Sequence, residues 1–214
     1  FALARNVSRL PIGTTSTNAN DYIINILSSN QDPRIARFFN PVTCGGTDFV
    51  GDVYGDDPGN IPAGNKSSYF GPALVGGYTS ACKTDGSGAK QDQWLIPSYE
   101  SLFFKAEAIA LGWATISGTD AKTAYEDAVR ESFVWLGVPD AVNAANTYMA
   151  NNLAANWTTV ASATPAAQDK FIVYQKYLSN VGIDALESYA DQRRLNFLPA
   201  GLLSVNPAST ATKL

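Results

Sequence analysis

Ser98-Tyr-Glu-Ser-Leu-Phe-Phe-Lys-Ala-Glu-Ala-Ile-Ala-Leu-Gly112, followed after a short break by Thr119-Asp120 and the run Ala121 to Leu136, is the stretch that decides the fold class. Pro97 suits the first turn of a helix, where its missing N–H has no partner to lose. Leu102, Phe103, Ala106, Ile109, Ala110 and Trp113 recur at three- and four-residue steps and so form one apolar helix face. Thr119-Asp120 supplies a second start signal, and Ala121, Tyr125, Ala128 and Phe133 form a second stripe ended by Gly137 and Pro139. Two such helices joined by a short connection predict a helical hairpin. Ala121 and Ala128 with Tyr125 between them match the second helix of a tetratricopeptide unit, and Ala108 with Gly112 suits its first; any close-packed hairpin would show similar spacing.

The helical character continues toward the C-terminus. Asp140 to Asn156 reads as a weaker, Ala- and Asn-rich helix, Thr164-Pro165 opens another that runs to Asn180, and Gly182 separates it from a last helix ending near Arg194. Helical character thus fills 97–199, and 200–214 reads as an extended coil tail. Residues 1–39 are partly helical, with apolar Tyr22, Ile23, Ile26 and Leu27 inside Asp21 to Ser29, and Asp32-Pro33 starting a short helix through Phe39. Residues 40–96 differ: they hold eleven of the seventeen glycines and four prolines, without sustained periodicity. An irregular region of that length in a compact domain is usually functional. The expectation is one mostly α domain of helical hairpins with a long loop region laid over it.

Composition narrows the chemistry. At 214 residues, with 45% hydrophobic and 16% charged, the chain is long enough to bury a core. A net charge of −4 without a basic stripe leaves no electrostatic footprint for nucleic acid. The complete absence of histidine excludes Ser-His-Asp, Cys-His and HExxH chemistry within this chain. No run approaches the roughly 18 apolar residues of a membrane span, and no glycine-rich phosphate loop occurs. The start at Phe1, without a signal-peptide pattern, reads as processed or cut.

Several constellations are candidates for chemistry. Tyr54, Tyr69, Phe70, Tyr78 and Trp94, with Phe49, lie in the irregular region, which offers little regular core to absorb them. Aromatic faces among polar loops are platforms for sugar rings, whose C–H faces stack on them, so these five are the candidate ligand-binding residues; the alternative is that they anchor the loop. Glu100 and Glu107 stand seven residues apart, about 10 Å along one helix. A glycosidase pair works at about 5–9.5 Å, which makes a helical hydrolase using either residue the alternative; a buried Glu107 paired with a cation is the simpler reading. Asp48, Asp52, Asp56 and Asp57 could offer oxygens to Ca²⁺, but they lack the rhythm of an EF-hand loop and equally make a solvated acidic turn. No other cofactor is indicated. Arg193-Arg194 sits where cations complement a helix C-terminus. Cys44 and Cys82 cannot complete a zinc tetrahedron; bridged in an oxidising compartment they would close a loop of about 39 residues, worth on the order of 4 kcal/mol, and otherwise they are separate thiols.

Three segments together resemble the SusD/RagB family of Bacteroidetes outer-membrane lipoproteins. Asp32-Pro33-Arg34 through Phe39 is similar to its DPR segment, and Ser98 to Ala108 with Gly112 to its E..l..AEA...G helix. Tyr174-Gln175-Lys176-Tyr177, Gly182 to Leu186 and Asp191-Gln-Arg193-Arg194 to Pro199 resemble its QKY…G.eaW.dyRR…P ending, with Leu186 where a tryptophan is usual. The resemblance implies tetratricopeptide-like hairpins with the ligand site in overlying loops. It also implies a non-catalytic surface protein that captures a glycan or related nutrient and passes it to a SusC-like TonB-dependent transporter. An exported location favours the Cys44 to Cys82 bridge. The family's lipidated cysteine, first repeats and downstream R..YP..E segment have no counterpart here, so the resemblance implies a portion of a longer, lipid-anchored chain.

Overall fold

The computed structural model describes residues 19–53, 67–76 and 94–198. The chain divides into two compact units, Phe1–Asp92 with Pro199–Leu214, and Gln93–Leu198.

In the first unit, α1 (Asp21–Ser29) starts where Asn20 accepts a hydrogen bond from the Tyr22 N–H, satisfying one of the donors a helix start leaves open. Its buried face is Ile23, Ile24 and Leu27. α2 (Ile35–Phe38) is a single turn that buries Ile35 and Phe38. Extended segments run beside these helices: Asp21 N donates to Asp52 O, Asp52 N to Ala19 O, and Ala19 N to Ser68 O. Whereas the pairing at Asn20 and Asp52 is parallel, residues 69–71 run antiparallel along 38–40, with Asn40 N donating to Tyr69 O and Gly71 N to Phe38 O. At this crossing a Cβ on Gly71 would sit 2.6 Å from Arg37 O and Phe39 N, so only glycine lets the two backbones approach. The irregular region also contains a helical turn that periodicity did not announce, α3 (Pro72–Val75), with Pro72 at its first position.

The second unit is helical. α4 (Ser98–Ala110) and α5 (Ala121–Trp135) form the expected hairpin; α6 (Ala141–Asn151) packs on α5, α7 (Pro165–Ser179) on α4 and α5, and α8 (Ala185–Leu195) on α7. Asp120, Thr164 and Asp184 cap the starts of α5, α7 and α8 through their side-chain oxygens. The core joins Tyr99, Phe103 and Ala106 of α4, Tyr125, Ala128, Val129 and Phe133 of α5, and Ile172, Val173 and Leu178 of α7. Alanines 106, 124, 128 and 145 are buried where a larger side chain would hold neighbouring helices apart. Tyr125 is buried with its O–H donating to Ala155 O at 2.7 Å, and its ring meets Trp157 and Phe171, each at 5.3 Å.

Three sequence expectations change. Trp113 is not part of the α4 face: the helix ends at Ala110, and the indole is 76% exposed. Gly112 does not serve close helix packing; it has φ +72° just past the helix end, the left-handed geometry that terminates helices, with open space around it. α6 stops at Asn151 rather than Asn156. Asn152 turns the chain there by accepting from the Ala154 N–H, and a 3₁₀ turn at Trp157–Thr159 follows, capped by Asn156.

Candidate functional site

The five candidate aromatics fall in different settings. Tyr54 and Tyr78 lie outside the described residues, as do Cys82, Asp56 and Asp57. Tyr69 and Phe70 belong to the first unit and are half-buried; their carbonyls accept from Asn40 N at 2.8 Å and Asn40 Nδ2 at 2.7 Å. The backbone pairing of Phe70 with Phe39 therefore fixes where this aromatic pair stands. Trp94 belongs to the second unit, half-buried, with its ring edge-on to Trp135 at 4.9 Å, and Trp135 in turn meets Tyr99 at 5.3 Å. Trp94, which precedes α4, is thus held edge-on against the end of α5, and through Trp135 this cluster reaches the first turn of α4.

Cys44 is disulfide-bonded, and Cys82 is the only other cysteine in the chain. In the acidic loop, Asp48 is exposed while Asp52 accepts from Ser67 Oγ at 2.6 Å and takes part in the backbone pairing with residues 19–21. Among the described residues no group of three or more carboxylate, thiol or imidazole side chains is arranged to hold a metal ion.

The two glutamates do not converge on a shared opening. Glu100 is buried and accepts from Asn180 Nδ2 at 2.9 Å, which ties the start of α4 to the end of α7. Burial pushes its carboxyl above the usual range, with the Asn180 bond opposing. Glu107 belongs to a charged cluster that sequence reasoning assembled only in part. Lys176 of α7, its side chain 1% exposed, lies within 2.8 Å of Glu107 and Asp191 and 3.0 Å from Glu187, and its ammonium also sits over the Phe104 ring at 4.3 Å. Arg194, on the solvent side, reaches Glu107 at 2.6 Å, Asp191 at 2.9 Å and Asp169 at 3.1 Å.

Two cations thus serve four carboxylates. Burial raises the Glu107 and Asp169 carboxyls above their usual range, and Lys176 and Arg194 pull both back. Burial by itself would lower the Lys176 ammonium, but Glu107 and Asp191 outweigh it and hold the group above its ordinary value. The same carboxylates raise Arg194 against its own desolvation. Glu107 is therefore the buried, cation-paired residue of the simpler reading. Its cations are Lys176 and Arg194, which it shares with Asp191 and Asp169, and the sequence reading named neither cation as its partner. The available signal was their placement: Lys176 and Asp169 stand seven residues apart on α7, and Asp191 and Arg194 three apart on α8, spacings that put each pair on one helix face.

The residues that made the sequence recognisable are thus internal fasteners. Arg34 and Asp32 of the Asp-Pro-Arg segment form a fully buried ion pair at 2.6 Å, and Asp32 also accepts from the Arg34 N–H at 3.0 Å. Gln175 donates to Ala154 O at 3.0 Å and accepts from Tyr148 O–H at 3.3 Å, pinning the connection between α6 and α7. Lys176 holds the cluster, and Tyr177 meets Phe197 edge-on at 5.6 Å. Arg193 lies 5.7 Å from the Tyr189 ring.

Comparison with known proteins agrees with this architecture. A SusD homolog from Bacteroides fragilis superposes with a TM-score of 0.64 at 20% identity, covering 90% of this chain and 46% of its own. A Bacteroides vulgatus protein, named as an outer membrane protein with a suggested part in nutrient binding, gives 0.60 at 22% identity over 85% of this chain and 42% of its own. A second B. fragilis SusD homolog gives 0.60 at 20% identity over 91% and 42%. The chain therefore spans less than half the length of these structures. No curated protein sequence matches it. A family model described as starch-binding and associating with the outer membrane matches residues 5–212, nearly the whole sequence, and the chain belongs to this SusD-like family.

Proposed function

We propose that this chain is part of a non-catalytic glycan-binding protein of the outer-membrane surface. In this reading a lipid anchor holds the full protein at the membrane, and the captured glycan passes to a SusC-like TonB-dependent transporter. The observation that carries the proposal is the family match over residues 5–212, whose description names starch and the outer membrane. The side chains are consistent with it. Glu100 and Glu107, the acids a hydrolase would need, are engaged with Asn180 and with Lys176 and Arg194, and the sequence supplies no histidine. Among the described residues no helix is long and apolar enough to cross a membrane.

We assign the ligand site to the irregular region of the first unit, with Tyr69 and Phe70 as the described aromatic pair and Tyr54 and Tyr78 as further candidates; Trp94, in the second unit, is a candidate by itself. Stacking of a sugar ring on an aromatic face is worth on the order of 1 kcal/mol, so one lost platform weakens binding without abolishing the fold. Native affinity gels containing amylopectin test the reading. Retardation that weakens in Tyr69→Ala is the expected result. Unretarded migration through gels of amylopectin and of other polysaccharides removes it, and release of reducing sugar by the pure protein restores the hydrolase.

A further inference from the structure

We infer that the charged cluster of the helical unit is a proton-operated latch: Asp169 carries a proton while α8 is seated, and loss of that proton loosens α8 from α4 and α7. The oxygens of the cluster single out this residue. Glu107 places Oε1 2.8 Å from Lys176 and Oε2 2.6 Å from Arg194, and Asp191 places Oδ2 2.8 Å from Lys176 and Oδ1 2.9 Å from Arg194. Glu187 has one oxygen on Lys176 and is partly open to water. Asp169 is 2% exposed, yet it meets a cation through Oδ2 alone, at 3.1 Å from Arg194, and among the described residues its Oδ1 has no hydrogen-bond partner. A bare carboxylate oxygen cut off from water costs far more than a neutral carboxyl group in the same place. Of the acids that share Lys176 and Arg194, Asp169 is therefore the one whose ionisation is least compensated.

The charged groups packed around Asp169 and its partners are Arg194, Asp191 and Glu187 from α8, Glu107 from α4 and Lys176 from α7 itself. On α5, which also packs on α7, Lys122, Glu126, Asp127 and Arg130 pair with one another and Glu131 accepts from Ser98. Burial raises the Asp169 carboxyl first of all; Arg194 opposes the rise, Asp191 adds to it and Lys176 opposes it. The helix that answers is α8, because Asp191 is its one buried residue: the cluster seats it, whereas α4, α5 and α7 are each held by several buried apolar side chains. An ionised Asp169 competes with Asp191 for Arg194, and outward movement of α8 gives both carboxylates water while the proton passes to solvent. A folded-state value above the ordinary 3.8 makes this stabilisation fully present in acid and lost as pH rises through the folded value. The latch is thus tight on the acid side and loose on the alkaline side.

The test is a pH titration of the full chain by NMR, reading the side-chain carboxyl carbons and the hydrogen exchange of backbone amides after correction for the intrinsic pH dependence of exchange. The Asp169 carboxyl carbon is expected to titrate with a proton affinity at least about tenfold above that of the same residue in urea, which is one unit of pH at the midpoint. Protection of the α8 amides should fall at least about fivefold through that same range, while the α4 and α5 amides keep theirs. Asp169→Asn is neutral at every pH and keeps an oxygen for Arg194, so it should leave α8 protected throughout. Should that variant not fold, the titration of the unaltered chain decides by itself. An Asp169 carbon that titrates at or below the ordinary carboxylate range, a raised midpoint that belongs to Glu107 and not to Asp169, or α8 protection that is independent of pH or falls equally in Asp169→Asn would each overturn the latch.

Discussion

Lys176 carries a charge into the interior and is met there by three carboxylates, a ring face and almost no water. Such an ammonium is costly to desolvate, and its removal is costlier still, because Glu107 and Asp191 would remain buried with Arg194 as the one cation to share. Lys176→Met keeps the length of the stem and removes the charge; we expect it to lower unfolding free energy by about 3–5 kcal/mol in urea titrations. The same substitution at a surface lysine such as Lys122 should leave stability within about 0.5 kcal/mol. Gly71 is the second decisive position. A methyl group there would meet carbonyl and amide atoms of residues 37–39 at 2.6–2.7 Å, which are backbone and cannot swing aside. Gly71→Ala should therefore cost roughly 1–3 kcal/mol and move the Asn40 and Tyr69 amide resonances, since the backbone that holds Tyr69 and Phe70 must shift.

At the scale of the element, α8 depends on its first turn and on its place in the cluster. Asp184 accepts from both Leu186 N and Glu187 N, so Asp184→Ala should cost about 1 kcal/mol and raise hydrogen exchange along α8 before other helices respond. Because α8 supplies Glu187, Asp191 and Arg194, fraying it also loosens α4 and α7. The cluster gives the helices an unusual dependence on pH. Glu107 and Asp169 titrate above their ordinary values of 4.5 and 3.8, so the folded state binds protons more readily than the unfolded chain. Their contribution is fully present below those values and is lost as pH rises through the folded ones. Denaturation midpoints for the helical unit should thus be higher at about pH 5 than at pH 7, and in Glu107→Gln that difference should shrink. Lys176, raised above 10.5, acts in the same direction at higher pH: its stabilisation is present below that value and is lost in stronger alkali.

For the whole molecule, the two units have different sources of order. The helical unit is held by a continuous apolar core and the charged cluster. The first unit combines a small core around Ile24, Leu27 and Phe38 with backbone pairing and the disulfide at Cys44. A bridge closing a loop of about 39 residues is worth on the order of 4 kcal/mol in the loop-entropy account. Dithiothreitol should accordingly lower the melting of the first unit by several degrees and leave the helical transition where it was. A calorimetric trace with both transitions unchanged would show that the disulfide contributes little.

Helical periodicity and capping residues determined most of the architecture from sequence alone. The hairpin of α4 and α5, the start of α7 at Pro165 and the end of α8 are local matters, settled by side-chain spacing, Asp and Thr caps and glycine breaks. The family was legible largely for the same reason, since two of its three motif segments lie on or beside those helices and the third at α2. That Glu107 is buried and paired with a cation was legible too, but not which cation, because the pair with Lys176 joins positions far apart in the chain. Exposure behaved likewise: Trp113 continues a helical stripe on paper, but the helix ends three residues earlier and leaves it in solvent. Only the tertiary structure decided which charges are buried, which glycine lets two backbones touch and which aromatics are braced by others. Burial and electrostatic pairing are properties of the packed whole, and a linear spacing rule contains neither.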